Sequence, residues 1–77
     1  MSGYKYRATL YKLTAQEIPE FVNILKDNFN TIEEAFAFVA DYNDKTLNLP
    51  RKTDNPNQWE TKPGDNICDW EQYYSTH

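Results

Sequence analysis

Few side chains in this sequence could make or break bonds. The one histidine, His77, is the final residue, where chains commonly fray, so a histidine acid or base is not expected. Ser2 and Ser75 lie near the ends, and the one cysteine, Cys68, has no histidine neighbour to activate its thiol. Cys68 reads as a small buried apolar residue. Glycine is confined to Gly3 and Gly64, too few for a phosphate cradle or a dinucleotide turn. The run Asp41-Tyr42-Asn43-Asp44-Lys45 has the spacing of a calcium loop, but Lys45 stands at the third ligand position and no glycine follows, so it reads as a helix exit. Glu33 and Glu34 are neighbours on a helix, pointing about 100° apart, and do not flank one bond. No catalytic residue, metal-ligand set or cofactor is expected, and the chain reads as non-enzymatic.

The remaining candidate chemistry is adhesive. Two tryptophans, six tyrosines and four phenylalanines exceed what the core of a 77-residue chain hides, and Trp59, Trp70, Tyr73 and Tyr74 fall within the last nineteen residues. Aromatics of this kind anchor interfaces, although each tryptophan also suits a role closing the sheet over the helices. Adjacent Tyr73 and Tyr74 point apart in a strand, so one is expected at the surface. Beside them lie the carboxylates Glu33, Glu34, Asp41 and Asp44. These read as a solvated face or as groups that steer the chain toward a basic surface. Lys5 and Arg7 share the first strand with Tyr4 and Tyr6, which raises direct nucleic-acid binding. The formal net charge of −4 disfavours it.

Those groups must be positioned by a single small domain, residues 1–77. One cysteine excludes an internal disulfide, and no stretch is apolar for long enough to span a membrane. The opening Met1-Ser2-Gly3-Tyr4-Lys5 has no apolar signal-peptide centre, so a cytoplasmic protein is expected. Charge is segregated: residues 1–14 carry +3, residues 15–44 carry −6 and residues 45–77 carry −1.

Tyr4 to Leu10 alternate apolar and polar, which predicts a half-buried strand. Thr14 and Glu17 form a capping-box pattern, with Leu13 and Ile18 placed as a hydrophobic staple. Ile18, Phe21, Val22, Leu25 and Phe29 then recur at helical spacing, predicting a first helix to about Asp27, with Pro19 distorting its first turn. Thr31 and Glu34 repeat the capping pattern and open a second helix. Its apolar residues Ile32, Ala35, Phe36, Phe38, Val39, Ala40 and Tyr42 cover an arc of roughly 200°, which predicts a helix wedged between two elements or one keeping a margin for a partner. Residues 46–49 alternate and end at Pro50, predicting a short strand, and another is expected over 59–61. Residues 69–74 read as a terminal helical turn capped by Asp69 or as a last strand. The expected architecture is α+β, in the order β-α-α-β-β, with two helices on one face of a short antiparallel sheet.

In size, acidity, scarcity of catalytic groups and strand-helix-helix opening, the chain resembles the small inhibitors that bacterial viruses deploy against host defence systems, including anti-CRISPR proteins. The resemblance is one of general character and implies no residue roles. The expectation is a binding protein that occupies a surface of a larger protein or nucleoprotein complex, one handling nucleic acid, and inhibits or modulates it, with no small-molecule substrate and no membrane. Alternatives are a subunit of a homo-oligomer burying the second helix's apolar arc, and a direct nucleic-acid binder using the first strand. The chain itself is expected to be a monomer or homodimer.

Overall fold

The computed structural model describes residues 3–75. Strand β1 (Gly3–Leu13) follows the alternation of its residues and occupies the centre of a three-stranded antiparallel sheet ordered β2-β1-β3. Strand β2 (Pro19–Phe29) lies on one side and β3 (Asn66–Ser75) on the other. Between β2 and β3 runs the helix α1 (Ile32–Asp41), continued by a π-helical turn at Tyr42–Thr46. The order is therefore β-β-α-β with one helical segment, which overturns the expected β-α-α-β-β arrangement with two helices.

The largest correction is β2, whose residues were expected to form the first helix. The Thr14 hydroxyl does accept from backbone amides, but from those of Gln16 (3.2 Å) and Ile18 (3.1 Å), which closes a tight turn instead of opening a helix. Two backbone bonds, from Thr14 to the Ile18 carbonyl and from Glu17 to the Thr14 carbonyl, fix that turn. Glu17 has φ 62°, a left-handed conformation incompatible with a helical first turn. The misleading spacing of the apolar residues has its own cause. Pairing of β1 with β2 slips three times, between Tyr6 and Ala8, between Ala8 and Thr9, and between Leu10 and Tyr11. Each slip inserts an extra residue in β2, so residues sharing a face stand three apart instead of two. Phe21 and Ile24 come to lie opposite Tyr11 and Thr9, whereas Asn23, Lys26 and Phe29 lie opposite Leu10, Ala8 and Tyr6. A strand with a near-three-residue repeat imitates the 3.6-residue repeat of a helix.

The C-terminal element is likewise a strand. All of β3 pairs with β1 in unbroken register from Gly3 with Ser75 to Lys12 with Asn66, so the terminal helical turn is not formed. The strand expected over 46–49 is absent because the helix runs on: the Leu47 amide reaches back to the Tyr42 carbonyl at 3.0 Å, and the Leu49 amide to the Asn43 carbonyl at 2.9 Å. Of the strand expected over 59–61, only a single bridge between Arg51 and Trp59 appears. Residues 47–65 otherwise form an irregular excursion.

Helix α1 starts where Thr31 and Glu34 predict. The Thr31 hydroxyl accepts from the Glu34 amide and donates to its carboxylate, each at 3.2 Å. Its small, fully buried Ala35 and Val39 let it approach Ala8 and Cys68 of the sheet, and Phe29 and Trp59 complete the core. Trp59, carried by the excursion, faces Phe36 at 6.1 Å between ring centres, while Phe38 faces Phe29 at 5.8 Å. Within the wide apolar arc Phe38 thus meets β2 and Phe36 the returning chain, while Ile32 stays 41% exposed. No helix among the described residues is long and apolar enough to cross a membrane.

Candidate interaction surfaces

Because α1 covers one face of the sheet, the other face lies open, and the register dictates its composition. Residues opposite one another on neighbouring strands share a face. The first row across the open face is Phe21, Tyr11, Ile67; the second is Ile24, Thr9, Asp69. Arg7 and Glu71 form the third, joined by Asp27, and Lys5 and Tyr73 the fourth. This face grades from apolar to ionic along β1.

The ionic end is internally matched. Arg7 stands 3.5 Å from Asp27 and 3.7 Å from Glu71, and its guanidinium lies 4.0 Å above the Tyr73 ring. Tyr73 donates its hydroxyl proton to Asp27 at 2.6 Å. That bond holds the Asp27 carboxyl below its ordinary range and raises the Tyr73 phenol. Lys5 donates to the Asn30 side chain. The cations that suggested nucleic-acid binding are therefore engaged by two carboxylates and an amide.

The apolar end is not matched. Phe21 is 64% exposed and Ile24 38%, and the neighbouring Ile18 and Val22 are exposed as well. Burial, then the Glu71 and Asp69 carboxylates, push the Tyr11 phenol above its usual range.

The residues singled out in the sequence do not assemble into one surface. Glu33 and Glu34 sit exposed in the first turn of α1, where they complement the helix dipole. Asp41 pairs with Lys45 at 2.9 Å one turn on. Asp44 turns inward to the excursion, accepting from Arg51 Nη2 at 2.6 Å, Arg51 Nε at 3.2 Å and the Trp59 indole at 2.7 Å. The Arg51 and Trp59 bonds, in that order, lower its pKa to about 2. Trp59 is only 7% exposed, and Trp70 is half-buried edge-on to Tyr6 at 6.0 Å. Of the adjacent tyrosines, Tyr73 lies on the open face and Tyr74 is 57% exposed on the helix side, edge-on to Tyr4 at 5.4 Å. A shallow depression of about 370 Å³ is bounded by Lys52, Gln58, Trp59 and Trp70. No cluster of three or more metal-ligating side chains occurs among the described residues.

Sequence reasoning missed Phe21, Ile24, Tyr11 and Ile67. The signal is present in their apolar character, but the helical spacing places Phe21 in the buried stripe of a helix that does not form, and Ile24 falls outside that stripe. No protein-family model matches the chain, and neither a curated protein nor a solved structure is found similar to it.

Proposed function

We propose that this chain is a non-enzymatic binding protein that occupies a surface of a larger complex handling nucleic acid, and thereby inhibits or modulates it. The observation that carries the reading is the apolar end of the open sheet face, where Phe21 stands 64% exposed amid other apolar side chains on a chain this small. Aromatic and aliphatic groups presented this way are the usual anchors of protein interfaces. The net charge of −4 and the exposed Glu33 and Glu34 support a basic partner surface, of the kind that otherwise receives phosphate. Asp41 and Asp44 contribute less to steering, since Lys45 and Arg51 already answer their charge.

The test is capture from the native cell with tagged wild-type chain and with the folded variant Phe21→Ser/Ile24→Ser. A stoichiometric protein partner retained by the wild type supports the reading, and its loss in the variant ties binding to this strip. Recovery of no partner, together with turnover of a metabolite by the purified chain, would overturn it.

A further inference from the structure

The open face also constrains what docks there. Addition of a partner strand is disfavoured at both edges of the sheet. Along β2 the three register slips scatter the outward amides and carbonyls, and the Asn28 amide is already taken by the Asp27 carboxylate at 2.7 Å. Along β3 the outward amide and carbonyl of Cys68 are both taken by the Asn43 carboxamide at 2.9 Å, and the Trp70 amide by the Asp69 carboxylate at 2.8 Å. Each edge is thus interrupted, β2 by its bulges and β3 at Cys68 and Trp70. The face itself remains, and its width suits one element. Three strands with two gaps of about 4.8 Å make a surface roughly 10 Å across, close to the diameter of one helix, about 10 to 12 Å.

Charge selects the kind of helix. Beside the exposed Phe21 and Ile24 and the half-buried Tyr11 and Ile67 stand Asp69 and Glu71 on β3, with Thr9 buried between Ile24 and Asp69. Asp69 has no cation within ion-pair distance among the described residues, and Glu71 shares Arg7 with Asp27. A second copy of this chain would bring the same carboxylates together with Lys5 and Arg7, cations already engaged by Asn30, Asp27 and Glu71, and an anionic lipid surface would meet a chain of net charge −4. We propose, building on the binding reading above, that the open face seats a basic amphipathic helix of the partner, its apolar side on Phe21, Tyr11, Ile24 and Ile67 and its basic residues over Asp69 and Glu71. The docked helix converts a two-layer domain into three layers, with the sheet covered on both sides.

The experiment uses the full chain and a fluorescently labelled helical peptide of about 15 residues, with leucines at i, i+3, i+4 and i+7 and lysines flanking them. A twin carries glutamates in place of the lysines. Anisotropy measures affinity, and amide shift mapping locates the contact. The lysine peptide is expected to bind, to shift Thr9, Tyr11, Phe21, Ile24, Ile67 and Asp69, and to weaken as salt rises. Phe21→Ser and Asp69→Lys, both at exposed positions and checked for folding by circular dichroism, should each reduce its affinity about tenfold. Absence of binding, equal binding of the glutamate twin, or shifts confined to α1 would overturn the proposal. So would a concentration-dependent dimer abolished by Phe21→Ser. In the capture experiment, equal recovery of one partner by wild type and by Phe21→Ser/Asp69→Lys defeats this inference while leaving the binding reading intact. Recovery of nothing by the wild type, together with turnover of a metabolite by the purified chain, defeats that reading itself.

Discussion

Two polar residues at the end of the helix do much of the positioning. Asn43 is 0% exposed, and its carboxamide meets the backbone of Cys68 as a neighbouring strand would. Replacing it with leucine leaves a buried amide and carbonyl without partners, so Asn43→Leu is expected to cost about 2 to 3 kcal/mol, seen as a fall in the thermal midpoint of roughly 10 °C or more. Asp44 holds Arg51 and Trp59, and through them the excursion. Its folded pKa, about 2, lies below the ordinary 3.8. The stability it contributes is therefore present above about pH 4 and lost as pH falls toward 2. Asp44→Asn removes that titration while leaving an acceptor for the Trp59 indole. A thermal melt series down to pH 2 should show a shallower acid dependence in the variant than in the wild type, and parallel curves would contradict this assignment. Neither role was legible in the sequence. Asp44 and Trp59 are fifteen positions apart, and as types both suit an interface, so nothing local marked them as partners. Cys68, in contrast, is buried as its type suggested; that burial raises its thiol pKa to about 12 and leaves it neutral.

At the scale of elements, legibility followed the regularity of the repeat. Strand β1 alternates without interruption over Tyr4 to Leu10 and the helix opens at Thr31, and both appear where periodicity and capping predict. Strand β2 defeats the same reasoning because its three bulges stretch a two-residue period toward three. The turn before it misleads for a related reason. Thr14 has the side chain of a helix cap and of a tight turn alike, and only the backbone at Glu17 distinguishes them. This gives a test whose sign separates the two structures. Glu17→Gly relieves the left-handed φ of 62° and is expected to raise stability by about 0.5 to 1 kcal/mol. In the first turn of a helix, the same replacement would destabilise. Urea titration of both proteins decides it by the direction in which the midpoint moves. Residues 69–74 read as helix or strand alike on length alone; a full register against the central strand, a long-range property, settles them as part of β3.

For the whole molecule, one helix on one side of a three-stranded sheet leaves a second side for solvent or for a partner, and the distribution of side chains argues for a partner. In the ionic half of the open face Arg7 holds Asp27, Glu71 and Tyr73 together, while Asp69 beside them has no cation within ion-pair distance among the described residues. The apolar half, with Phe21 and Ile24, is left unanswered. This surface is not visible from the sequence because the supposed first helix buries Phe21, and the pairing that brings Tyr11, Ile24 and Ile67 beside it is long-range. The acidic helix face, conspicuous in the sequence, is partly consumed by the Asp41–Lys45 and Asp44–Arg51 pairs. Such exposed pairs stabilise weakly, but they lower the charge available to a distant partner. Binding is proposed on the sheet rather than on the helix. Oxidative footprinting of side chains, on the free chain and on the chain bound to the partner captured from its native cell, tests that placement most directly. Protection of Phe21, Tyr11 and Ile24 with Ile32, Tyr4 and Tyr74 unchanged is the predicted result; protection of Ile32, Tyr4 or Tyr74 while Phe21 stays reactive would contradict it.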